Sequence, residues 1–299
     1  MTLRAPFPSR AFAVAGLGIA LYSMMDALMK GLSIAIGAYN AALWRSLAGV
    51  VITGLILALR KPRWPPMAAL KLHGLRGLIS PVLVVLFFWG VARVPLAEGI
   101  ALSFIAPLIT LYLAAVMLGE KVTRWSVISS LCGLAGVVVI MAARLGGPHS
   151  PEALLGVVAI LVSALVYSFN LILQRLQATV ASPEESAFFG TAVMAVLLLG
   201  FAPFAAKPPS MAQVPAIIGS ALFASAAFIT LSWAYARAEA RVLVVLEYTA
   251  FLWAALLGFL MFKEPVTLTT LAGAALIVLG CLVSAWHERS HQPSAELGI

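Results

Sequence analysis

Charge is what this 299-residue sequence is short of: 10% of its residues are Asp, Glu, Lys or Arg, against 63% hydrophobic. Soluble domains carry about a quarter charged residues, so a soluble globule is excluded, and a mean hydropathy of +1.05 agrees. Cysteine is scarce as well. Cys132 and Cys281 both fall inside apolar stretches without metal-ligand spacing, which leaves them a packing role. The four histidines, His73, His149, His287 and His291, sit in or near joints and tails and form no metal-binding pair. No Walker-type phosphate loop occurs, so ATP does not drive the protein directly. No Ser-His-Asp or Cys-His set lies within an apolar stretch, so no nucleophile is identified. The expectation is a protein that is not an enzyme and needs neither cofactor nor metal.

What is present is a succession of apolar runs near 20 residues, each able to cross a hydrocarbon core of about 30 Å as a helix. Ten are read, at about 11–29, 38–59, 72–92, 97–118, 124–143, 153–174, 184–204, 212–235, 242–262 and 267–286. The first is too long for a cleaved signal peptide and reads as a helix of the protein. Pro, Lys, Arg and small polar residues mark the joints, as in Arg60-Lys61-Pro62-Arg63 and Lys207-Pro208-Pro209-Ser210. The net charge of +8 belongs to these joints, so nucleic acid is not an expected partner and the lipid bilayer is. Basic residues on the side of the N-terminus are Arg4, Arg10, Arg60, Lys61, Arg63, Lys71, Lys121, Arg124, Arg175, Arg237, Arg241 and Arg289. The opposite side has Lys30, Arg93, Arg144, Lys207 and Lys263, with Arg45 and Arg76 set aside as lying within spans. That bias predicts a multi-pass inner-membrane protein with both termini in the cytoplasm.

The stretch Leu118-Gly119-Glu120-Lys121-Val122-Thr123 returns as Phe262-Lys263-Glu264-Pro265-Val266-Thr267, an offset of 264 − 120 = 144. Without gaps the same offset lays Trp89 on Trp233, Ala92 on Ala236, Arg93 on Arg237 and Gly136 on Gly280. Five spans separate the two joints, an odd number, so the copies face opposite sides of the membrane. Inverted halves are a secondary-transporter architecture, in which two arrangements open one central site to either side. The predicted fold is therefore an all-α membrane protein with ten transmembrane helices. They form two inverted five-helix repeats, 1–146 and 147–299, around a central cavity; the second ends in a short cytoplasmic tail.

Ionisable groups at membrane depth point to pathways or helix packing. Tyr22, Asp26 and Lys30 share one helical face at i, i+4, i+8. Asp26 reads either as an external gate or ammonium contact, or as a helix end neutralised by Lys30 snorkelling outwards. Arg45, beside Trp44 and after Asn40, suits pairing with Asp26 or holding a carboxylate. Glu98 lies near the outer end of the fourth span, where solvation alone accounts for it. Ser103 and Pro107 follow, and Pro107 kinks the helix at mid-depth. Its equivalent is Phe251, which makes the halves mechanically unequal. Glu247, aligned with Ser103 and followed by Tyr248, is the most deeply placed acid, either a proton-titrating or substrate-binding group or a structural one. Trp89, Tyr112, Tyr167, Asn170 and Trp233 supply aromatic and amide walls suited to an amphipathic organic solute rather than a bare ion.

The pattern Ala97-Glu98-Gly99…Ala106-Pro107-Leu108 leading to Leu118-Gly119-Glu120, then Gly133 and Gly136, resembles the drug/metabolite transporter superfamily and its EamA-type ten-helix permeases. The second copy runs from Leu246-Glu247-Tyr248 through Lys263-Glu264-Pro265 to Gly273 and Gly280. The likeness covers essentially the whole chain and is similar to the aromatic amino acid exporter branch. It implies cytoplasmic termini, alternating access, and export of amino acids, aromatic or otherwise apolar, and related amphipathic metabolites. An uptake permease for another small metabolite and a membrane-embedded enzyme are the alternatives. Proton coupling is a further expectation, drawn from the few buried carboxylates.

Overall fold

A computed structural model describes residues 9–60, 64–119, 124–145, 151–235, 237 and 246–287. Glu120 to Thr123 of the first joint lie outside the described residues, as do Arg4, Lys61 to Arg63, His149, Arg241, Arg289 and His291. Every described element is helical: α1 Ser9–Ile36, α2 Ala38–Leu59, α3 Met67–Val91, α4 Leu96–Ser103, α5 Ile105–Leu118, α6 Arg124–Leu145, α7 Pro151–Gln177, α8 Pro183–Gly200, the single turn α9 Ala202–Ala205, α10 Val214–Tyr235, α11 Thr249–Phe262 and α12 Leu268–His287. Seven stretches are long and apolar enough to cross a membrane, α4 and α5 together making one of them. Three shorter apolar helices, Val127–Ala142, Thr249–Phe262 and Leu268–Gly280, bring the crossings to ten. The end where α1 begins is called the near end below, and the end where α1 finishes the far end.

The 144-residue offset reappears in the helix bounds. Adding it to the limits of α5 gives those of α11, and adding it to the start of α6 gives the start of α12. It reappears in the packing too. Helix α1 lies along α10 as α7 lies along α3, α1 meets α11 as α7 meets α5, and α2–α8 and α6–α12 are self-corresponding pairs. Lipid offers helices no hydrophobic reason to associate, so close packing relies on small residues. At the α6–α12 crossing a Cβ on Gly136 would stand 2.5 Å from the carbonyl oxygen of Gly273, and one on Gly280 2.5 Å from that of Ser129. The offset converts the first contact into the second. The joints also share a backbone conformation: Gly119 ends α5 at φ +71° and Lys263 ends α11 at φ +58°, both left-handed. Glycine adopts that conformation freely, whereas lysine is strained there by roughly 1–2 kcal/mol.

Two expectations about individual spans change. The first helix continues past residue 29 to Ile36, because Lys30 does not end it but is buried within it. The kink expected from Pro107 is a one-residue interruption: α4 stops at Ser103, one turn before the proline that cannot donate to the Ser103 carbonyl, and α5 resumes at Ile105. The break recurs in the second copy at Tyr248, the equivalent of Phe104, with no proline near it. There Thr249 Oγ1 donates to the Leu246 carbonyl at 2.6 Å, and the Phe251 amide turns back to Tyr248 at 3.2 Å. The halves are thus broken alike, contrary to what Phe251 in place of Pro107 suggested. The two break residues touch, the rings of Phe104 and Tyr248 meeting edge-on at 5.3 Å.

Candidate functional site

Between the broken helices and α1, α3 and α7 lies a cluster of polar side chains at bilayer depth. Asp26 stands ten residues before the far end of α1, about 15 Å along the axis, and acts electrostatically on Arg45 of α2. Tyr22, one turn nearer the middle, acts on Arg45 and also on Arg76 of α3 and Tyr167 of α7. Tyr167 in turn feels Glu247, which accepts a hydrogen bond from Tyr235 at the near end of α10. These groups are surrounded by helices, yet Tyr167 keeps 38% of its surface open and Tyr22, Asp26 and Arg45 remain only half-buried. Such partly open side chains between helices make up a polar cluster, called the cleft below. The cleft is amphoteric: Arg45 and Arg76 supply two guanidiniums, Asp26 and Glu247 two carboxyls, and three tyrosines surround them.

At the far end of this cluster an ion pair, called the latch below, ties α1 to the joint after α11. Lys30, 1% exposed, forms an ion pair with Glu264 and donates to the Val94 carbonyl at 2.6 Å. The second oxygen of Glu264 accepts the Leu96 amide at 2.8 Å, so the carboxylate also serves the N-terminus of α4, where the helix dipole favours an anion. Asp26 and Lys30 therefore do not neutralise each other, and Lys30 does not snorkel outwards. Glu98 is likewise not solvated: in the first turn of α4 it is only 3% exposed. The Trp44 indole and the Asn40 carboxamide pin the backbone of Lys207 over the same end, at 2.8 and 2.7 Å.

A second network extends from the cleft to the near end. Arg76 donates through Nε to Asn170 at 3.0 Å, through Nη1 to Gln177, and at a longer 3.5 Å to Gln174, all on α7. Gln177 bonds His73 Nδ1, and His73 Nε2 lies 2.8 Å from Glu185. An amide nitrogen only donates, so Nδ1 accepts and Nε2 carries the proton given to Glu185. Glu185 is placed by the start of α8, where Ser182 caps the Glu185 amide ahead of Pro183. His73 is accordingly not in a joint but 1% exposed within α3, stacked on Phe189 at 4.8 Å.

Other expected site residues lie elsewhere. Trp89 and Trp233 occupy equivalent places at opposite ends of the bundle. Arg93 lies 3.6 Å over the first ring and Arg237 4.3 Å over the second, and each arginine donates to its tryptophan's carbonyl, at 3.0 and 3.2 Å. Ser103 hydrogen-bonds within α4, to Gly99 at 2.9 Å. Pro107 is exposed. Tyr112 of α5 is 36% exposed. Tyr248 contributes its ring to the Phe104 contact, and Asn170 its oxygen to Arg76. Sequence reasoning missed Arg76, Gln177 and Lys30–Glu264 as site elements. Arg76 was legible as an arginine inside an apolar run, and Glu264 as the repeated acid, whereas their partners are neighbours only in space.

The profile of the EamA-like transporter family matches this chain twice, over residues 11–142 and 154–286. The chain belongs to that family. It is thus a multi-pass membrane transporter of the drug/metabolite superfamily, not an enzyme. Among its relatives, the pseudopaline exporter CntI of Pseudomonas aeruginosa is 24% identical over 87% of this chain and 90% of its own length. The aromatic amino acid exporter YddG of Ancylobacter novellus is 29% identical over 68% of this chain and 70% of its own. The S-adenosylmethionine uptake transporter of Rickettsia prowazekii is 24% identical over 74% of each. The relatives named for a cargo handle small molecules, exported in two of these cases and taken up in one.

Proposed function

We propose that this protein exports amino acids, aromatic and other apolar ones foremost, and related amphipathic metabolites across the bacterial inner membrane by alternating access. Residues 1–146 and 147–299 are its two inverted halves, and the predominance of Lys and Arg at the near end supports both termini being cytoplasmic. The far end is then external, and Lys30–Glu264 is the external latch. The observation that carries the reading is the amphoteric cleft of Asp26, Arg45, Arg76 and Glu247 between two ends built from equivalent parts. A solute with both an ammonium and a carboxylate finds a counter-charge for each there, and tyrosine rings for an apolar side chain. Alternating access requires the cleft to open at either end, and equivalent packing of α1 on α10 and α7 on α3 supports two such arrangements.

Counterflow of labelled phenylalanine in proteoliposomes tests this: saturable exchange is expected, and a non-saturable leak defines a pore instead. Uptake in intact cells rather than efflux from them selects the second reading, an uptake permease, which the S-adenosylmethionine transporter's likeness favours. Proton coupling is carried by Asp26 and Glu247. Asp26→Asn and Glu247→Gln together abolish the pH dependence of flux, and an unaltered profile refutes the coupling.

A further inference from the structure

We infer that Arg76 is the carboxylate anchor of the central cleft, holding the acid group of an amphoteric solute toward the near end of the bundle. The two guanidiniums of the cleft differ in their surroundings. Arg45 has an acid, Asp26, among the groups that act on it, although the two form no ion pair. Arg76 forms no ion pair among the described residues. Its hydrogen-bond partners are the neutral amides of Asn170, Gln174 and Gln177, and the ionisable groups acting on it are Tyr167 and Tyr22. Hydrogen bonds reach a carboxylate only through Gln177 and His73, at Glu185. Neutral oxygens orient a guanidinium at bilayer depth but leave its charge standing, and an uncompensated cation there is costly. An arriving carboxylate removes that cost.

The geometry suits such a guest. Three of the five guanidinium N–H groups are taken by α7, leaving one on each terminal nitrogen. Two parallel N–H groups are the fork that grips a carboxylate in bidentate fashion. The amides fix the fork in advance, and Gln177 is itself fixed by His73. A carboxylate at Arg76 leaves the rest of the solute facing Tyr22, Tyr167 and, beyond them, Asp26. The equivalent of Arg76 in the other half is Ser220, so the anchor exists once and orients the solute along the transport axis.

This rests on the proposed carriage of amphoteric solutes but is tested apart from it. The purified full chain is melted in detergent with L-phenylalanine, phenylacetate, L-phenylalaninamide and phenethylamine. Both acids are expected to raise the melting temperature and both amines to leave it unmoved. Arg76→Gln weakens the acids at least tenfold and erases the preference for acid over amide; Arg76→Lys weakens them while keeping the preference. A folded Arg76→Gln that still prefers acids overturns the assignment, as does a wild type indifferent to both acids. Should Arg76→Gln fail to fold, Arg76→Lys decides: acid affinity equal to wild type overturns it. Phenylacetate bound through Arg76 by a protein that neither binds nor carries phenylalanine upholds the anchor and defeats the amino-acid reading. Phenylalanine carried with its preference intact in Arg76→Gln does the reverse.

Discussion

The two halves share a skeleton and differ in charge. At equivalent positions they repeat a left-handed helix end, Gly119 and Lys263, a tryptophan under an arginine at Trp89–Arg93 and Trp233–Arg237, and a helix break at Phe104 and Tyr248. Yet Asp26 corresponds to Asn170, Lys30 to Gln174, Arg45 to Phe189, Arg76 to Ser220 and Glu247 to Ser103. Every charged group of the cleft and its latch, Glu264 apart, faces an uncharged residue in the other copy. Duplication therefore accounts for the architecture, and the departures from duplication account for the site.

The latch is where the contrast should have the largest effect. Replacing Glu264 by Gln removes the ion-pair partner seen for buried Lys30, which costs about 3–5 kcal/mol. Lys30→Met with Glu264→Gln recovers most of it, and a double-mutant cycle by thermal unfolding in detergent measures the coupling. The equivalent of Lys30 is the uncharged Gln174, whose contact with Arg76 is a long 3.5 Å, so Gln174→Met should change stability by less than about 1 kcal/mol. Comparable losses on both sides would erase the distinction. The α6–α12 crossing tests the shared skeleton. Gly136→Leu drives a side chain into the Gly273 backbone and should cost about 3 kcal/mol. The same change at Gly190, with open space around it, should cost well under 1 kcal/mol.

The Trp–Arg pairs sharpen the comparison on a smaller scale. Arg93 is half-buried, with its Nε fully covered, whereas Arg237 is exposed. Arg93→Ala should cost about 2 kcal/mol and Arg237→Ala less than about 1, read as melting shifts of the two variants. Smallest is a gain. Lys263→Gly relieves a left-handed lysine and should add up to about 1 kcal/mol, and a lower melting temperature would mean that the side chain contributes more than its strain.

The repeat, the ten crossings and the polar depth of Asp26, Arg45 and Glu247 were all legible from spacing. What escaped was pairing across long separations. Helical periodicity offered Lys30 only Asp26, one turn away, while its partner lies 234 residues on. Glu98 looked solvated because nothing in its neighbourhood says what α4 packs against. Counting Arg76 as an orientation ambiguity hid it, because its three amides belong to a helix some hundred residues later. The second helix break was missed for a different reason: the sequence rule reads breaks from proline, and there a threonine side chain and one tight turn do the same work.

The contact of Phe104 with Tyr248 has a mechanical consequence. Because the offset exchanges the two residues, their rings meet where the halves relate to each other. Edge-on aromatic contacts tolerate a broad range of mutual tilts at little energetic penalty. Under the proposed alternating access, such a joint would serve as the bearing on which one bundle rocks against the other.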